Sequence, residues 1–163
     1  MSNTAQIDQI PLSWDEFQWC GDLNIPLMGQ ATNPGVELGV NTKDEERIPP
    51  CEEQVAAWRR FVERDAHIYS TILEAGFSYY TKMRPQYAKA GEAWIKNMPE
   101  ITDPSQLKSM IRLSSLTVTW PYDGNPIQIG VSFGCDWDPE HGFGVVVEGD
   151  KVVNAGSADC AIL

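Results

Sequence analysis

Between residues 55 and 83 apolar side chains return every three or four positions: Val55, Trp58, Val62, Ala66, Tyr69, Ile72 or Leu73, Gly76, Tyr80 and Met83. That period gathers them on one face of a helix and leaves Arg59, Arg60, Glu63, Arg64 and Glu74 mostly on the others. A start signal stands just upstream. Pro50 precedes Cys51, Glu52 and Glu53, so acids fall in the first turn, where the free backbone amides favour negative charge. The spacing predicts one long helix over about 51–82. A helix with so broad an apolar face buries it against another layer of its own domain, so the Trp/Tyr stripe is read as core.

The rest of the chain has to supply that second layer, and its pattern changes accordingly. "IRLSSLTVTW" (111–120), "PIQIGVSF" (126–133), "GFGVVVEG" (142–149) and "KVVNAG" (151–156) are rich in β-branched and aromatic residues with partial alternation. Tyr122-Asp123-Gly124-Asn125, the Asp138-Pro139 segment and Gly149-Asp150 separate them and read as hairpin turns. Two earlier segments, "FQWCGDLNIPLMG" and "GVELGVNT", also read as strands. Pro85 is expected to end the long helix, with "QYAKAGEAWIKNM" forming a shorter one before Pro99. "TDPSQLKSM" is a further candidate, with Thr102 or Asp103 as N-cap and Pro104 at the first helical position. The expected fold is α+β: an antiparallel β-sheet of about six strands packed on one long amphipathic helix plus one or two shorter helices. Residues 1–13 are expected to be a flexible polar leader, and 14–163 one domain.

At 163 residues the chain can bury a full core without disulfides. Cys20, Cys51, Cys135 and Cys160 are widely separated and form no C-x-x-C pair, which fits thiols kept reduced in the cytoplasm. Twenty-three acidic against twelve basic side chains leave a formal net charge of -11. Such a field repels phosphate backbones and anionic membranes and attracts basic proteins, so no nucleic-acid or membrane partner is expected and a protein partner is. The first residues carry no Lys or Arg and no apolar run of signal-peptide length, and no stretch reaches the roughly 18 apolar residues that cross a bilayer.

The densest chemistry lies in "CDWDPEHGFGV", residues 135–145. As a calcium loop it fails, because His141 stands where glycine is required and Val147 where the closing glutamate belongs. As a zinc site it offers Cys135, Asp138 and His141, but strand residues alternate between faces and a second cluster would have to contribute. As an acid–base centre it offers His141 among Asp136, Asp138 and Glu140, whose charges favour the imidazolium. No phosphate-binding loop, nucleophile elbow or H-E-x-x-H helix accompanies it. Asp138-Pro139-Glu140-His141 also suits a type I turn followed by a left-handed Gly142, joining two strands into a hairpin with Trp137 at its rim.

The run from Ile127 to Ala161 resembles an uncharacterised bacterial domain family whose C-terminal half carries a strand, W-D-x-E-H-G-[LF]-G-V, a glycine turn and a last strand ending near G-x-x-D. Trp137, Asp138, Glu140, His141, Gly142, Gly144, Val145, Gly156 and Asp159 carry the likeness, together with Trp19 to Pro26 and the pair Tyr79-Tyr80. The resemblance implies a small acidic protein of the kind found beside polymorphic toxins, where some members act as immunity proteins, and so a binding protein with no turnover of its own. The net charge of -11 fits neutralisation of a basic toxin domain, and no cofactor is expected. On this reading Asp136, Trp137, Asp138, Glu140 and His141 form a protein-binding surface, with Trp137 as an aromatic anchor among acids. The alternative is a metal-dependent hydrolase using Asp136, Asp138, Glu140 and His141.

Overall fold

The computed structural model describes residues 2–163. Eight strands form one sheet in strict chain order: β1 (Thr4–Ile7), β2 (Ile10–Trp14), β3 (Trp19–Asp22), β4 (Glu37–Val40), β5 (Ile111–Val118), β6 (Gln128–Cys135), β7 (Phe143–Glu148) and β8 (Lys151–Gly156). All neighbours are antiparallel except β4 and β5, which run parallel. Parallel neighbours need a long crossover, and the helices provide it. They are α1 (Glu52–Glu63), α2 (Asp65–Ala90), the single-turn α3 (Glu92–Ile95) and a 3-10 segment, Pro104–Ser109. The fold is therefore α+β, with a mostly antiparallel sheet and one long helix, as the pattern predicts.

The strand period explains which face the helices cover. Ile129, Val131, Phe133 and Cys135 alternate along β6 and are buried, in register with Leu116 and Val118 on β5 and with Phe143, Val145 and Val147 on β7. The long helix sits on this face. Tyr79 stacks on Phe143 with centroids 5.9 Å apart, and a Cβ on Gly76 would lie 3.1 Å from the Phe143 ring. The opposite face of β6 and β7 carries Gly130 and Gly144, and there the 3-10 turn Ala158–Ala161 lies directly on the backbone. A Cβ on Gly130 would stand 1.9 Å from the Ala161 carbonyl oxygen, so only glycine admits the approach.

Several sequence expectations need correction. The sheet has eight strands, not about six, because the supposed leader forms the β1–β2 hairpin. Asp8 takes a left-handed conformation (φ 52°) in its two-residue turn, and Ile7, Ile10 and Leu12 enter the core. The long helix is two: Arg64 leaves helical geometry at φ -100°, ψ 11° and divides α1 from α2. Arg60 and Arg64 converge on Asp150 at 2.5 and 3.1 Å, and the Asp65 carboxylate accepts the Met28 amide at 2.9 Å, so the break is held from two sides. The buried stripe runs through Gln54, Trp58, Phe61, Ile68, Ile72, Gly76 and Tyr80, while Ala66 is exposed. Pro85 does not end α2 either. Bonds from Tyr80 Oη to the Pro99 carbonyl (2.7 Å) and from Arg84 Nε to the Met98 carbonyl (2.8 Å) tie this stretch to the following loop, offsetting the bond that proline cannot make. At the next segment the expectation holds: Asp103 caps Pro104–Ser109, accepting the Ser105 amide at 2.9 Å.

Candidate functional site

The β6–β7 connection is built around one carboxylate. Asp138 Oδ1 accepts the His141 amide at 3.1 Å and lies 3.0 Å from His141 Nδ1, while Oδ2 accepts the Tyr87 hydroxyl at 3.0 Å. The backbone closes between the Gly142 amide and the Asp138 carbonyl at 2.9 Å. The turn is thus one residue longer than the type I turn expected from Asp138 to His141, because the side chain of Asp138, not its carbonyl, takes the His141 amide. Gly142 is left-handed as anticipated (φ 64°), and a Cβ there would meet the Phe133 carbonyl oxygen at 2.5 Å. The His141 carbonyl accepts the Ala158 amide at 3.0 Å, which fastens the C-terminal 3-10 turn to the hairpin.

The electrostatics follow from these contacts. Partial burial alone would raise the Asp138 pKa, but hydrogen bonds from the His141 amide and imidazole and from the Tyr87 phenol outweigh it and hold the carboxyl below its ordinary value. His141 is shifted upward, first by its bond to Asp138 and then by that carboxylate's charge, with Glu140 and Asp159 adding to the negative potential. Burial, then the bond to Asp138, pushes Tyr87 up to about 12. The Cys135 thiol is pushed up to about 11 by burial and donates to the Asp138 carbonyl at 3.4 Å, so it is a protonated core group and not a nucleophile.

The remaining residues of the cluster do not converge. Asp136 pairs with Arg112 at 2.7 Å, and its amide bonds to the Met110 carbonyl at 3.0 Å. Trp137 is only 5% exposed: its ring meets Tyr80 edge-on at 5.1 Å and Phe143 at 6.2 Å. It belongs to the core, and its expected role as an exposed anchor is withdrawn. Glu140 and His141 are exposed. His67 lies near the start of α2, exposed and away from the turn. Among the described residues no three His, Cys, Asp or Glu side chains are grouped so as to hold a metal ion. Tyr87, the member that ties the turn to α2, carries no signal in the sequence, since it stands 51 residues from Asp138 and reaches it only through the fold.

Among the described residues no helix is long and apolar enough to cross a membrane. No curated protein and no solved structure matches the chain. A family model does match, over residues 9–163, nearly the whole length. The chain belongs to the family described as a domain of unknown function, DUF6985.

Proposed function

We propose that this chain is a non-catalytic binding module of the cytoplasm that captures a basic protein, in the manner of an immunity-type inhibitor. The observation that carries the reading is the state of Asp138: both carboxylate oxygens are engaged by its own fold, one by His141 and one by Tyr87. A general base or metal ligand needs a lone pair directed at a substrate or ion, and here the lone pairs hold a turn together. The net charge of -11 supports a basic partner, whose approach it would accelerate. All four cysteines are free, which supports a reducing compartment.

The hydrolase reading of Asp136, Asp138, Glu140 and His141 makes an opposite forecast. A metal that binds only the folded chain adds stability, about 2.7 kcal/mol at a hundredfold excess over its dissociation constant. Thermal melts of metal-free protein with Zn²⁺, Mn²⁺ or Ca²⁺ are expected to show no rise in midpoint. A rise that disappears in the Asp138→Asn variant would overturn the binding reading in favour of a metal site.

A further inference from the structure

We infer that the basic partner docks at the end of the sheet where the parallel strands β4 and β5 finish, and not at the 136–141 turn. This rests on the binding function proposed above and names its surface. Two adjoining hollows of about 510 and 480 Å³ open there and share Asn41, Tyr122 and Leu163 in their walls. Exposed apolar bulk gathers at this place: Phe17 is 62% exposed, Tyr122 43% and Leu163 38%, and Trp120 lines the second hollow. A concentration of exposed aromatic side chains beside polar groups marks an interface more reliably than scattered single residues do.

Charge settles the class of partner. Asp44 and Glu45 line the first hollow and Glu148 the second, whereas no Lys or Arg lines either, Lys43 included. An arginine or lysine from a partner protein can lay its methylene stem across Phe17 and Tyr122 and direct its head to these carboxylates. The same wall holds an unsatisfied polar group. Thr42, in the wall of the first hollow and 5% exposed, carries the only buried side-chain polar atom among the described residues without a hydrogen-bond partner. A buried polar group left orphaned in a native fold calls for an explanation such as an ordered water or ion.

The surface is also held in shape before any partner arrives. The Tyr122 hydroxyl accepts the Asp44 amide at 3.0 Å and donates to the Thr42 carbonyl at 3.1 Å. Gln54, wholly buried, bonds to the carbonyls of Asn41 and Thr119 at 2.8 and 3.0 Å and so pins the two strand ends together. Preorganisation of this sort lowers the ordering cost of binding.

The test is an amide NMR titration of the full chain at low ionic strength with the peptide acetyl-Gly-Arg-Leu-Arg-Gly-amide, beside its Glu-for-Arg counterpart. Shifts are expected at Gln18, Thr42, Glu45 and Tyr122. Affinity should fall at least about fivefold in Phe17→Ser, and in the pair Asp44→Asn with Glu45→Gln, as expected for the loss of an aromatic anchor or of two counter-charges. Phe17 is exposed, so its replacement should leave the fold intact. Shifts centred on 136–141, or affinity indifferent to Phe17→Ser, would overturn this location while leaving capture of a basic partner standing. Binding of both peptides alike, or of neither, would overturn the basic partner itself.

Discussion

The hydroxyl of Tyr87 donates to the carboxylate of Asp138 at 3.0 Å, linking the last turns of α2 to the β6–β7 turn across 51 positions of sequence. Through that bond the helix layer fixes the orientation of the most charged segment of the chain. A hydrogen bond to a charged acceptor contributes about 1.5–3 kcal/mol. Tyr87→Phe should therefore lower unfolding stability in urea by about that amount without altering the far-UV spectrum. An unchanged midpoint would show that water replaces the bond at no cost.

The Asp138–His141 pair makes the turn pH-sensitive in a defined window. Asp138 titrates in the folded chain below its ordinary 3.8, so its contribution is present above that value and is lost as pH falls through the depressed one. His141 titrates above its ordinary 6.5, so its contribution is complete below that value and is lost as pH rises through the elevated one. Both act together between 3.8 and 6.5. The difference in melting temperature between the natural chain and His141→Gln should be larger at about pH 5 than at about pH 9. A difference that grows with pH would contradict the pairing.

Trp137 packs on Tyr80 and Phe143, so truncating it opens a cavity. Trp137→Ala should cost about 3–5 kcal/mol, the range for a buried large aromatic residue. An exposed anchor would lose less than about 0.5 kcal/mol on the same change, and chemical denaturation separates the two cases.

Gly130 meets the Ala161 carbonyl so closely that a methyl group cannot enter without displacing it. Gly130→Ala should destabilise by about 1–3 kcal/mol, as overpacking does, and should speed amide exchange at Ala158 and Cys160, whose donors bond to the His141 and Ser157 carbonyls. Protection preserved at Ala158 and Cys160 would mean that the 3-10 turn does not lie on the strand backbone.

Thr42→Val replaces a buried hydroxyl that lacks a partner with a group of the same shape. Stability in the free chain should stay level or rise by about 1 kcal/mol, since an unmade bond is removed and not broken. A loss of more than about 1 kcal/mol would reveal a partner for Oγ1.

Local chemistry was enough to place the C-terminal strands. Val145, Val147, Ile129 and Val131 alternate, and glycine or Asp-Pro punctuation stands between the runs, so β5 to β8 can be read directly. Asp103-Pro104 signalled its own capped turn for the same reason. The β1–β2 hairpin escaped because its strands are only four and five residues long and Pro11 interrupts the second. The pair Ile7 and Ile10 around Asp8-Gln9 was the available clue, since two residues between apolar positions form the shortest hairpin loop.

By itself the sequence determined the class of fold, the helical and strand periods, the acidic surface and the left-handed glycine after His141, because each depends on residues within a few positions of one another. Only the tertiary structure decided that Trp137 is core, that Asp138 is bound by Tyr87, that α1 and α2 part at Arg64, and that Phe17, Tyr122 and Leu163 share one surface. Those outcomes depend on which distant segments come together, and hydrophobic burial, being non-directional, specifies that a face is covered without naming the residues that cover it.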